Sequence, residues 1–322
     1  MSSRSSRSLH GGRHELGQNF LHHRPTIDLI LELVRRTDGP LLELGAGDGA
    51  LTVPLSRLGR PLTAVELDEH RAARLARRLP EVRVLQRDAL RVRLDAETIV
   101  GNVPFHLTTP ILRRLLEHGG PPRSAHATGR DQGSQRSGDR PRGDDRRHGD
   151  GWRDALLLVQ WEVARKRAGV GGGTLMGALA APWFEFALHG RVPASGFRPM
   201  PSVDGGVLSI HRRESPLLPA SERRGYEAFV RAAFTGRGRG LAQILGRVSD
   251  RQHAGTGGTS RPPGAPHDRT REPARPGARP RGAGPREPAL VRTALRAAGI
   301  GPQALPRDLA PAQWVMLWQR LS

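Results

Sequence analysis

The sequence predicts an α/β fold followed by a small C-terminal helical domain. Two observations carry this prediction. Between residues 26 and 118 short apolar runs alternate with amphipathic helical periods, and beyond residue 214 helical periodicity is nearly all that remains. The first pattern is that of a parallel sheet with helical crossovers, since strands covered on both faces read as continuous apolar runs. A chain of 322 residues is long enough to form one large and one small domain.

Taken in order, apolar positions at helical spacing predict a helix over 26–36, and the run Leu41, Leu42, Glu43, Leu44 predicts a strand over 41–44. A helix over 50–58, a strand over 62–66, a helix over 69–78 and strands over 82–86 and 98–101 follow, then a helix over 108–117. Each strand ends at a polar or glycine-rich turn, where open α/β sheets bind their ligands. From 121 to 150 there is no Val, Ile, Leu, Met, Phe, Trp or Tyr, so this segment is expected to be a disordered insertion. Pattern resumes with a strong strand over 155–160 and a helix over 161–168, and the strand over 207–210, after a glycine pair, completes the sheet. Helices are expected over 222–234, 241–248, 289–298 and 311–321, interrupted by a second low-complexity stretch, 251–288, expected to be disordered. The organisation is therefore a basic disordered arm over 1–14, a sheet domain over 15–213 and a helical domain over 214–322.

A formal net charge of +20 points to a polyanionic partner, because arginine and lysine release counterions when they neutralise phosphates. Lys166 is the only lysine, so the arginine bias of a GC-rich gene accounts for part of this charge. The excess of basic residues nevertheless remains when both low-complexity stretches are set aside. The absence of cysteine excludes disulfides, zinc–thiolate sites and iron–sulfur clusters, and with the clusters radical-type methylation. No metal is expected. No apolar run reaches the length of a membrane span, and the acid-free N-terminus lacks a hydrophobic segment, so a cytoplasmic monomer without membrane contact is expected.

Glu43, Leu44, Gly45, Ala46, Gly47, Asp48 and Gly49 join the first of these strands to the next helix. Glycines there let the backbone approach a ligand and adopt positive φ. A dinucleotide-binding turn has two residues before its third glycine; here one intervenes and Glu43 precedes the first, a spacing that favours S-adenosylmethionine over NAD. Glu66 ends the next strand, where its two oxygens match the vicinal hydroxyls of a ribose. Asp68 competes for that role or caps the following helix. Asp88, after the third strand, is placed to accept from an adenine amino group, although alone it reads as a turn residue.

Asn102, Val103, Pro104 and Phe105 follow the fourth strand and carry the chemistry. An aromatic amine is a poor nucleophile because its lone pair is delocalised into the ring. The Asn102 side-chain oxygen and the Val103 carbonyl can accept the amine hydrogens, draw the nitrogen toward tetrahedral geometry and free its lone pair for in-line attack on a sulfonium methyl. Pro104 stiffens the aim of that carbonyl, and Phe105 offers a stacking platform. A base treated this way must first leave its stack.

With Gln18, Asn19, Phe20 and Leu21, these residues resemble the ribosomal RNA adenine N6-dimethyltransferase superfamily. The likeness is greater to its Erm macrolide-resistance branch, which acts on 23S rRNA, through Phe105 within 102–110 and the segments 161–169, 182–186 and 236–245. The resemblance implies a class I S-adenosylmethionine-dependent methyltransferase, Rossmann-like with a mostly parallel seven-stranded sheet, and an RNA-binding role for the helical domain. It implies that Gln18, Asn19, Phe20 and Leu21 close over the methionine end of the cofactor. Glu43, Gly45, Gly47 and Gly49 would line it with Asn102, Glu66 would hold its ribose and Asp88 its adenine. Phe197, in Phe197, Arg198, Pro199, Met200, Pro201, would bring a second aromatic ring to the target base or serve core packing. The chain departs from the family where 121–150 and 251–288 replace short loops, with the composition of GC-rich DNA read out of frame. The activity implied is mono- or dimethylation of one 23S adenosine, giving macrolide–lincosamide–streptogramin B resistance. Methylation of small-subunit RNA is the alternative, as is an RNA-binding assembly factor with the same fold and impaired catalysis.

Overall fold

The computed structural model describes residues 19–118, 151–252 and 288–322. Gln18, the arm over 1–14, the insertion over 121–150 and residues 253–287 of the second low-complexity stretch lie outside these described residues. In chain order the described elements are β1 (Phe20–Leu21), α1 (Arg24–Arg35), β2 (Leu41–Leu44), α2 (Thr52–Ser56), β3 (Leu62–Glu66), α3 (Glu69–Arg78), β4 (Arg83–Gln86), β5 (Thr98–Asn102), α4 (Thr108–His118), β6 (Asp154–Gln160) and α5 (Trp161–Arg167). They continue with α6 (Leu175–Ala180), β7 (Phe184–Val192), β8 (Phe197–Arg198), β9 (Gly205–Arg212), α7 (Arg223–Thr235), α8 (Leu241–Gln252), α9 (Pro288–Ala297) and α10 (Pro311–Leu321).

Two compact units result, residues 19–171 with 183–216 and residues 172–182 with 217–322. The first is built on a seven-stranded sheet of order β4-β3-β2-β5-β6-β9-β7. β2 is parallel to β3 and β5, β3 to β4 and β5 to β6, while β9 runs antiparallel to both β6 and β7. Glu43 apart, the central strands bury apolar side chains: Leu41, Leu42 and Leu44 of β2 and Ala155 to Val159 of β6 are all buried. α1 buries Ile27, Ile30, Leu31 and Val34 and turns Glu32 and Arg36 to solvent, the 3.6-residue period of a helix lying on a sheet. Asp68 caps α3 by accepting from the Arg71 amide at 2.9 Å.

Several expected elements change in extent. α2 is shorter than the helix expected over 50–58, because a turn with Gly49 at positive φ occupies its first residues and Gly59, also at positive φ, closes it. β7 is absent from the expected strands; its alternation of Phe184, Phe186 and Leu188 is broken by an irregularity between Leu188 and Gly190, and Glu185, Ala187 and His189 face outward. α8 runs on to Gln252 and α9 starts at Pro288, so both ends of the stretch 251–288 are helical rather than disordered, each extending a helix whose apolar face lies inside it.

The second unit gathers α6 to α10 without β7 to β9. It includes residues 172–182, which the sequence places in the sheet domain. The physical reason is local: α6 docks on α7, where the buried Tyr226 hydroxyl donates to the Ala178 carbonyl at 2.8 Å. The core of this unit is aromatic, with Phe229 edge-on to Trp314 at 6.3 Å and Tyr226 edge-on to Trp318 at 6.2 Å.

Candidate active site

The strand order reverses between β2 and β5, and the crevice beyond their carboxyl ends is where such sheets bind ligands. The turn after β2 and the turn after β5 meet there: a Cβ built on Gly45 would lie 3.6 Å from the Asn102 carbonyl oxygen. Gly45 and Ala46 both donate to the Val65 carbonyl, at 2.9 and 3.0 Å, which bends the chain sharply away from the sheet. Gly47 shows why a side chain is not tolerated: its φ is 55°, and a Cβ would meet the Phe20 ring at 3.1 Å. A cleft of about 320 Å³ opens beside this turn, lined by Phe20, Leu21, Glu43, Gly45, Gly47, Asp48, Gly49 and Asn102. A second, narrow recess is lined by Asn19, Phe20, Gly45, Gly47, Glu66, Asn102, Val103, Pro104 and Phe105.

Two buried carboxyl groups sit at this crevice in different surroundings. Glu66 accepts from the Gly47 amide at 2.6 Å and from the Asp68 amide at 2.9 Å, one bond to each oxygen. Each oxygen keeps a second lone pair, the acceptor capacity that paired hydroxyls require. Glu43 is 1% exposed and its Oε2 has no partner. Burial pushes its carboxyl up to about 8; the nearby Thr52 hydroxyl, outside hydrogen-bonding geometry, offsets part of the rise and the Glu66 charge adds to it. The glycine turn and Asp48 of the cleft, with the Glu66 oxygens in the adjoining recess, fit a nucleoside carrying a positively charged sulfonium arm.

The loop after β5 is held on three sides. The Val103 amide donates to the Leu158 carbonyl at 3.1 Å and its side chain is buried, while the Pro104 carbonyl accepts from Leu107 at 2.8 Å. The Asn102 amide nitrogen donates to the Asn19 carbonyl at 2.8 Å. A carbonyl partner can only accept, so this bond fixes which end of the amide is nitrogen and leaves Oδ1 as the free acceptor. Phe105 is half-buried, and the buried Phe197 ring meets it edge-on at 6.3 Å. β1 pairs with β8, placing Phe20 opposite Arg198 and Leu21 opposite Phe197.

The structure thus gathers Asn19, Phe20, Leu21, Glu43, Gly45, Gly47, Gly49, Glu66 and Asn102 to Phe105 around one crevice. Phe197 joins them through β8 and Phe105. Asp88 is not among the residues lining the cleft or the recess: its Oδ1 accepts from Leu90 at 2.8 Å and its Oδ2 lies 3.8 Å from Arg91. Sequence reasoning misses Arg71, whose guanidinium carbon stands 4.1 Å above the Phe20 ring, and the Asn19 carbonyl that orients Asn102. A backbone acceptor leaves no trace in residue type, and Arg71 is one arginine among many.

Known proteins share both this sequence and this architecture. The sequence model of the family described as ribosomal RNA adenine dimethylase matches residues 9–256. An rRNA adenine N-6-methyltransferase of Corynebacterium diphtheriae is 46% identical over 240 residues, covering 73% of this chain and 83% of that protein. The mycinamicin-resistance protein MyrB of Micromonospora griseorubida is 41% identical over 313 residues, covering 96% of this chain and 79% of its own. Among solved structures, the 23S rRNA methyltransferase ErmE superposes with a TM-score of 0.68 at 27% identity, over 94% of this chain and 99% of that one. With an oriented amide beside a nucleoside-shaped cleft, the chain belongs to the ribosomal RNA adenine dimethylase family of S-adenosylmethionine-dependent methyltransferases.

Proposed function

We propose that this chain methylates the N6 amine of one adenosine in 23S rRNA and thereby confers resistance to macrolides, lincosamides and streptogramin B. The observation that carries the chemistry is the Asn102 amide, held by the Asn19 carbonyl so that Oδ1 is free to accept. When bound, S-adenosylmethionine supplies an electrophilic methyl group on a cationic sulfur. Asn102 Oδ1 and the Val103 carbonyl accept the two amine hydrogens and localise the nitrogen lone pair. Phe105 holds the base by its face, and Phe197, edge-on, keeps Phe105 in place. The amine that results is positively charged and sheds a proton to water, so no residue needs to be a strong base.

The choice of 23S over small-subunit RNA is supported by the resistance function in the name of MyrB and by the likeness to ErmE. Within the same proposal the second unit is an RNA-binding body, supported by the exposed Arg237, Arg239, Arg292 and Arg296 on its surface, and the protein works as a cytoplasmic monomer. Expression in a macrolide-sensitive bacterium tests the proposal. Growth at erythromycin concentrations that stop the parent strain is expected. Full sensitivity with folded protein present, or methyl groups found on small-subunit RNA alone, overturns the 23S assignment.

A further inference from the structure

Beside the aromatic pair of the site, the loop of residues 199–204 between β8 and β9 presents two apolar side chains to solvent. Met200 is 69% exposed and Val203 43%, whereas Phe197, three residues before Met200, is 1% exposed. Strand register fixes where this loop stands. β9 begins at Gly205 opposite Gln160, the last residue of β6, and Asn102 of β5 pairs with Leu158 of the same β6. The loop therefore stands at the end of the sheet that carries Asn102 to Phe105. Its root is tied down: Asp204 accepts from the Ala194 amide at 2.8 Å and from Arg191 Nε at 2.6 Å, and the Asp204 carbonyl accepts from the Trp161 amide at 2.9 Å. Pro199 and Pro201 flank Met200 and restrict its backbone. Arg198, two residues before Met200, and Arg191, paired through its Nε with Asp204, are both exposed.

We infer that Met200 is a wedge that enters the space the target adenosine vacates, packing against the bases left behind while Arg191 and Arg198 take the neighbouring phosphates. This rests on the proposal that the site receives an adenosine from structured RNA. Such a base must come out of its stack to reach Asn102, and the gap left behind loses stacking on both sides. Apolar side chains, methionine among them, are what proteins insert between base steps to compensate. A single exposed methionine is ordinary on a surface. One held between two prolines, on an anchored loop, two residues from Arg198 and three from the ring that braces Phe105, is placed for this task. Met200 is thus a positioning residue, acting on the RNA around the reacting base rather than on the amine.

The test uses the full chain and two RNAs of the same target sequence, one with the adenosine paired inside a helix and one with it in an open loop. Met200→Ala is expected to lose about tenfold in kcat/KM on the paired RNA and less than about twofold on the open one, since only the first must be unstacked. Met200→Leu should restore most of the loss. With 2-aminopurine at the target position of the paired RNA, the fluorescence rise on binding should be large for the wild-type chain and small for Met200→Ala. Cofactor binding by Met200→Ala, measured by calorimetry, shows that the variant is folded. Equal losses on both RNAs, no loss on either, or an undiminished fluorescence rise overturns the wedge. A wild-type chain inactive on both RNAs refutes the functional reading itself, and the wedge falls with it.

Discussion

At the scale of single residues, the crevice gives two buried carboxyl groups different surroundings. Glu66 accepts from two backbone amides, one at each oxygen, whereas Glu43, one strand away, has an orphaned oxygen and a carboxyl that burial pushes up to about 8. An acid whose pKa is raised by folding binds its proton in the native state where the unfolded chain has lost it. Its contribution to stability is therefore full below the unfolded value near 4.5, and declines as pH rises toward about 8. Glu43→Gln keeps the shape and removes the ionisation, so it should raise the melting temperature at pH 8 more than at pH 5. Thermal unfolding of both proteins across that range checks this, and an equal shift at the two pH values would mean that Glu43 is not held protonated. The residue types at this site were legible in the sequence because their chemistry is specific: an acid at a strand end, glycines in a turn, an Asn-Val-Pro-Phe loop. For Asp88 residue type leaves two roles open, since a carboxylate that caps a turn and one that holds an adenine look alike in a sequence.

At the scale of elements, the two-residue strand β1 connects the functions of the site. Asn19, just before it, orients the Asn102 amide; Phe20 covers Gly47; Leu21 pairs with Phe197. Arg71 on α3 presses on the outer face of Phe20, a cation over a ring, with Asp48 3.9 Å from its Nη1. A contact of this kind contributes about 0.5–2 kcal/mol, enough to shift a loop's position by several-fold in population. Arg71→Met, similar in length but uncharged, should raise the KM for S-adenosylmethionine about three- to tenfold with little change in the KM for RNA, and Arg71→Lys should recover part of it. Steady-state kinetics with each substrate varied decides this; equal effects of Met and Lys would assign Arg71 to packing alone. The parallel strands were legible because continuous apolar runs have few other uses. β1, β8 and β7 were not: two-residue strands carry no periodicity, and β7 loses its alternation at the irregularity between Leu188 and Gly190. Assignment of residues 172–182 to the helical unit was also hidden, since it depends on the Tyr226 hydroxyl reaching Ala178.

At the scale of the molecule, a net charge of +20 and an oriented amide at a switch-point crevice describe an enzyme that binds a polyanion everywhere and reacts at one place. In the proposed reading the charge supplies affinity that falls steeply with salt, and the loop after β5 supplies the chemistry. No helix among the described residues is long and apolar enough to cross a membrane. Asn102 stands where the cleft, the Asn19 carbonyl and the recess lined by Phe105 meet. The most direct measurement is nucleoside mass spectrometry of 23S rRNA after incubation with labelled S-adenosylmethionine and either the wild-type chain or Asn102→Ala. N6-methylated adenosine at a single position is expected with the wild-type chain, and a loss of at least about a hundredfold in rate with the variant, the scale seen when a transition-state hydrogen-bonding group is removed. Transfer by Asn102→Ala at the wild-type rate, or label on an atom other than the adenosine amine, would contradict it.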